Sequence, residues 1–103
     1  MRINITIKLQ DEAEEIVTTI PADFIQWERT TKMKMSDLYV RQDGEMQFRI
    51  GLEDLACLAW AVKRRTGGTT ETFNTWQLKI EDIPNFELGE QADPIQSAVL
   101  TDS

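Results

Sequence analysis

Residues 52 to 65, LEDLACLAWAVKRR, constrain the fold of this chain more than any other stretch. Glu53 and Asp54 open the segment, Lys63, Arg64 and Arg65 close it, and Gly67-Gly68 follows. That order matches the helix macrodipole and ends in a glycine stop, so a helix is expected over Leu52–Arg65. At 100° per residue, Leu52, Leu55, Ala56, Ala59 and Val62 share one face, and Leu58 and Trp60 widen it to about 200°, against the ~100° stripe that a surface helix needs. Such a helix is packed on more than one side. We expect part of that packing to come from a partner chain.

The N-terminus reads as a strand, because Ile3, Ile5, Ile7 and Leu9 alternate with Arg2, Asn4, Thr6 and Lys8. A charged connection at Asp11 to Glu14 leads to a second strand over Glu15 to Ile20, rich in β-branched residues, and the two suggest a hairpin. Pro21 suits the first turn of a following helix, with Asp23 near its positive end, Phe24 and Trp27 three apart, and Glu28 and Lys32 four apart. Residues 33–50 admit two readings: a hairpin around the turn signal Asp43-Gly44, or an ordered loop. Thr69, Thr70 or Thr72 can cap a third helix in which Phe73, Trp76, Ile80 and Ile83 share a narrow face, stopped by Pro84. The expected architecture is α+β: an N-terminal β-hairpin, then a small bundle of about three helices. Residues 1–83 form one domain, and residues 84–103 a flexible acidic tail carrying Glu87, Glu90, Asp93 and Asp102 with no Lys or Arg.

The chemistry open to the chain is narrow. It has no His, which removes the commonest general base and a principal metal ligand. Its one cysteine, Cys57, sits in the apolar helical pattern without a base to activate it, and a single cysteine in such a chain suits a reducing compartment. The adjacent acids Glu14-Glu15, Glu53-Asp54 and Glu81-Asp82 point about 100° apart wherever they lie on a helix, which favours structural roles over a paired acid-base site. Gly67-Gly68 follows a helix and precedes no Lys-Ser or Lys-Thr, so it is a cap and not a phosphate loop. We therefore expect no enzyme, no cofactor and no metal. A net charge of -7, from 18 acids and 11 bases, argues against nucleic acid as a partner. The first ten residues alternate instead of forming an apolar signal, and nothing approaches the ~20 apolar residues of a membrane span, so no membrane partner is expected either.

Candidate binding residues come from the second helix. Trp60, at the edge of the apolar arc, reads either as core or as a contact anchor, with Leu58 beside it. Lys63, Arg64 and Arg65 either complement the helix dipole or grip an acidic partner. Met33, Met35 and Met46 either fill the core or form an adaptable contact surface.

The order of FIQWER (24–29), LAWAVKRR (58–65) and TFNTWQLKIEDI (72–83), after a β-hairpin and before an acidic tail, resembles the tail assembly chaperones of long-tailed bacteriophages over about residues 1–85. Position by position, Trp27, Glu28 and Arg29 match the first motif, Leu58, Ala59, Trp60, Arg64 and Arg65 the second, and Phe73 with Asp82 the third. The methionine-containing stretch at 33–50 departs from the pattern. The resemblance implies a protein of the host cell cytoplasm that escorts the long tape measure protein of the phage tail by non-covalent contact. It adds Trp27 and Arg29 to the partner-binding candidates, and such chaperones are often made in two lengths by ribosomal frameshifting. Surplus apolar surface also predicts self-association in the absence of client. A structural virion component, such as a tail-completion or connector subunit, is the main alternative. A small acidic inhibitor of a host protein fits less well, because most of the acids are interspersed with bases.

Overall fold

The computed structural model describes residues 2–89 of the chain. The fold is α+β, and the element order is β1 (Ile3–Leu9), β2 (Glu15–Thr18), α1 (Pro21–Thr31), a 3-10 turn at Met35–Leu38, β3 (Tyr39–Gln42), β4 (Glu45–Phe48), α2 (Leu52–Arg65), a single helical turn α3 (Phe73–Trp76), a second 3-10 turn at Gln77–Lys79, and β5 (Ile80–Leu88). β1, β2 and β5 make a three-stranded antiparallel sheet in the order β2-β1-β5. β3 and β4 pair only with each other.

β1 is central because its alternation makes one face wholly apolar: Ile3, Ile5 and Ile7 are fully buried and Leu9 nearly so. Thr19 then clamps the start of that strand. Its hydroxyl accepts from the Ile3 amide at 2.8 Å, and its own amide donates to the Ile3 carbonyl at 3.0 Å. The expected second strand is thus two residues shorter, because at Thr19 the chain is already turning toward Pro21.

Three aspartates start three helical turns in the same way. Asp23 accepts from the Ile20 amide, Asp37 from the Lys34 amide, and Asp54 from the Gly51 amide, each satisfying a donor that the helix start leaves open. Asp54 also accepts from the Trp27 indole at 2.9 Å, tying α1 to α2. Residues 33–50 resolve into the hairpin reading. Asp43 (φ 54°) and Gly44 (φ 81°) both take the left-handed conformation of a tight turn. Tyr39 and Phe48 meet edge to face across the strands with ring centroids 5.4 Å apart.

The expected long third helix is not formed. Thr72 does cap it, accepting from the Thr75 amide at 3.4 Å, and Phe73 and Trp76 do turn inward. After one turn, however, the chain extends and pairs with β1. The boundary expected at residue 83 therefore falls inside a strand: residues 84–88 belong to the sheet, the Gly89 amide donates to the Arg2 carbonyl at 2.7 Å, and the rest of the expected tail, 90–103, lies outside the described residues. The physical reason is a bulged ladder. Leu9 faces Ile80, Lys8 faces Asp82, Thr6 faces Asn85 and Ile5 faces Phe86, so extra β5 residues are accommodated at two register shifts. Apolar residues three apart at 80, 83 and 86 then belong to a bulged strand, a spacing that a straight reading assigns to a helix.

α2 crosses the sheet with α1 beside it, and Trp60 packs on Phe73 with ring centroids 5.8 Å apart. Gly67, at φ 84°, ends α2, and the Gly68 amide reaches back to the Lys63 carbonyl at 2.6 Å.

Candidate binding surface

The structure turns the three apolar members of the expected contact set inward. Leu58 is fully buried, Trp60 is 3% exposed and Trp27 fully buried, all enclosed by their own chain. The wide apolar arc of α2 does mean packing on several sides, but the sheet, α1 and the Phe73–Trp76 turn supply it. The expectation that α2 lends Leu58 and Trp60 to a partner is corrected, and the ground it offered for self-association goes with it. Trp60 also satisfies its indole internally, donating to the Glu71 carbonyl at 2.9 Å.

The three consecutive cations are likewise engaged within the chain. Lys63 meets Glu15 at 2.8 Å and Arg64 lies 5.6 Å from the centre of the Trp60 ring. Arg65 grips Asp23 with two hydrogen bonds, Nε to Oδ1 at 2.9 Å and the guanidinium NH2 to Oδ2 at 3.0 Å. Those bonds raise the Arg65 guanidinium above its already high ordinary value, so it stays charged throughout. Arg29 stands exposed on α1. Thus the basic cluster sews the end of α2 to β2 and to the start of α1, beyond complementing the helix dipole.

Nucleophilic chemistry is closed off at Cys57. Burial pushes its thiol up to about 12, with Asp54 and Glu53 adding in the same direction and a hydrogen bond with Thr30 opposing them. Among the described residues no group of three potential metal ligands comes together, and no helix is long and apolar enough to cross a membrane.

Uncovered apolar surface lies elsewhere, and one stretch of it runs along β5 and the first turn of α2. Leu52, Glu53 and Ala56 from α2 and Gln77, Ile80, Glu81, Asp82 and Ile83 from the following segment line an open groove of about 440 Å³. Leu52 is 68% exposed, although the helical wheel puts it on the core face, because α2 begins before it reaches the covered part of the sheet. The inner face of β5 continues past the groove: Phe86 and Leu88 sit opposite Ile5 and Ile3, yet remain 38% and 52% exposed at the sheet edge. The helical reading of 72–83 hid this surface, since it buried Ile80 and Ile83. The adjacent acids Glu81-Asp82, unfavourable at the negative C-terminal end of the expected helix, were the available signal. The chain matches no known protein family, curated protein or solved structure to which it was compared.

Proposed function

We propose that the protein works by non-covalent contact with another polypeptide, as a tail assembly chaperone that keeps the tape measure protein of a long phage tail soluble during assembly. The observation that carries the reading is the apolar strip that lines the groove and runs on along β5, from exposed Leu52 through the half-buried Ile80 and Ile83 to the partly exposed Phe86 and Leu88. Contiguous apolar surface of this kind is the usual mark of a contact site. Its negative charge keeps such a protein soluble while it carries exposed apolar surface. The motif order that resembles tail assembly chaperones supplies the client.

Co-expression with the tape measure protein from the same phage genome tests the reading. The client's soluble recovery is expected to rise, and the chaperone to be largely absent from purified virions by mass spectrometry. Unchanged recovery removes the proposal, and stoichiometric retention in virions would favour a structural subunit.

A further inference from the structure

We infer that the groove between the start of α2 and β5 is a docking site for an amphipathic helical segment of a partner protein, its apolar stripe flanked by Lys or Arg. This rests on the reading of the chain as a protein-binding module, and it adds where the contact lies and what chemistry it selects. The floor is apolar, from Leu52, Ala56, Ile80 and Ile83, and the rim is acidic, from Glu53, Glu81 and Asp82. Glu81 shares Lys8 at a loose 3.5 Å, whereas Glu53 and Asp82 form no ion pair among the described residues. The nearest sequence neighbour with a positive charge, Lys79, is taken by Glu71 at 2.8 Å. The field over an apolar floor is therefore negative, and a basic-flanked partner gains from both.

Charge also disfavours the other occupants. Residues 90–103 of this chain carry Glu90, Asp93 and Asp102 and no base, so the acidic rim repels them. A second copy brings its own net charge of -7. An added strand meets an edge interrupted by Pro84 and two register shifts, the usual devices against edge pairing. A helix needs no free backbone edge, only a cleft for anchors at i, i+3 and i+4.

The test uses the full chain and a synthetic leucine-lysine amphipathic peptide of about 18 residues, long enough to be helical, with a leucine-glutamate peptide of the same pattern as control. The leucine-lysine peptide is expected to bind and the control not to. Leu52→Asp should weaken binding about tenfold or more, as for the loss of an interface anchor. Leu78→Asp, at a residue 74% exposed and outside the groove lining, should leave it unchanged. Both positions are exposed, so neither variant threatens folding.

The sign of the Leu52→Asp effect is decisive. It adds a negative charge, so attraction of a basic peptide to an acidic protein in general would be unchanged or strengthened, and that result overturns the proposal. So does absence of binding, or amide shifts on peptide addition that centre away from Ala56, Ile80 and Ile83. Co-expression separates site from function. If wild type and Leu52→Asp rescue the tape measure protein equally, the groove assignment fails and the chaperone reading stands. If neither rescues it, the chaperone reading fails, and the peptide titration still judges the groove.

Discussion

Replacing Arg65 with alanine should destabilise the fold far more than the same change at either neighbouring cation. The Asp23 side chain is 2% exposed and receives three hydrogen bonds, two from Arg65 at 2.9 and 3.0 Å and one from the Ile20 amide at 2.8 Å. Arg65→Ala removes two of the three and leaves a buried carboxylate without a counter-charge. Breaking a buried pair costs roughly 3–5 kcal/mol when one charge is stranded. Here the Arg65 side chain is one-third exposed, so water can enter the vacated space and the cost falls to about 2–3 kcal/mol. Arg64→Ala loses a cation-π contact worth about 0.5–1 kcal/mol. Lys63→Ala loses a pair whose acid is 38% exposed, worth about 1 kcal/mol or less. For a domain of this size the Arg65 change corresponds to a fall in Tm of about 10–20 °C. Urea unfolding followed by tryptophan fluorescence measures it, since Trp27, Trp60 and Trp76 are all buried. Asp23→Asn keeps an oxygen for the Ile20 amide but drops the charge, so a double-mutant cycle with Arg65→Ala should show coupling above about 1 kcal/mol. A loss at Arg65 no larger than at Arg64, or coupling near zero, would refute the reasoning.

Other expectations follow from the same packing. Leu58→Ala should cost about 2–5 kcal/mol and Trp60→Ala about 3–5 kcal/mol, both read by urea unfolding, because each side chain fills core; unchanged stability would return them to the surface. Cys57 should resist a disulfide reagent in the native state and react only on unfolding, since burial holds its thiol at about 12, well above the ordinary 9.0. As pH rises above about 9, the unfolded thiol loses its proton and the folded one keeps it. The unfolded state then binds fewer protons, and stability falls with pH until about 12. Wild type should therefore lose more stability than Cys57→Ala over that window; parallel curves would show the thiol to be accessible. Ending the chain at Ile83 removes the Phe86 and Leu88 pairings with Ile5 and Ile3 and should abolish cooperative unfolding, whereas an intact melt would mean the sheet does not need β5.

Much of the architecture was legible because it depends on local patterns. The alternation from Ile3 to Leu9 and the bounds of Leu52–Arg65 state their structure through spacing and charge order, whereas Asp43-Gly44 left a hairpin and a loop both open until β3 and β4 paired. β5 was not legible. Its apolar spacing is set by bulges that exist only when β1 lies alongside, so a period read along one strand pointed to a helix. The binding surface was hidden for the same reason, with Ile80 and Ile83 assigned to a buried helix face and Leu52 to a covered one.

What the residues decide alone is how much apolar surface α2 carries, and that it must be covered on several sides. Which polypeptide covers it is a question of tertiary arrangement. The chain closes over Leu58 and Trp60 with its own sheet, α1 and the Phe73–Trp76 turn, and Lys63 and Arg65 fasten the end of the helix to Glu15 and Asp23. The groove is left instead where α2 begins and β5 runs along the sheet edge, because burial depends on which neighbours arrive in space.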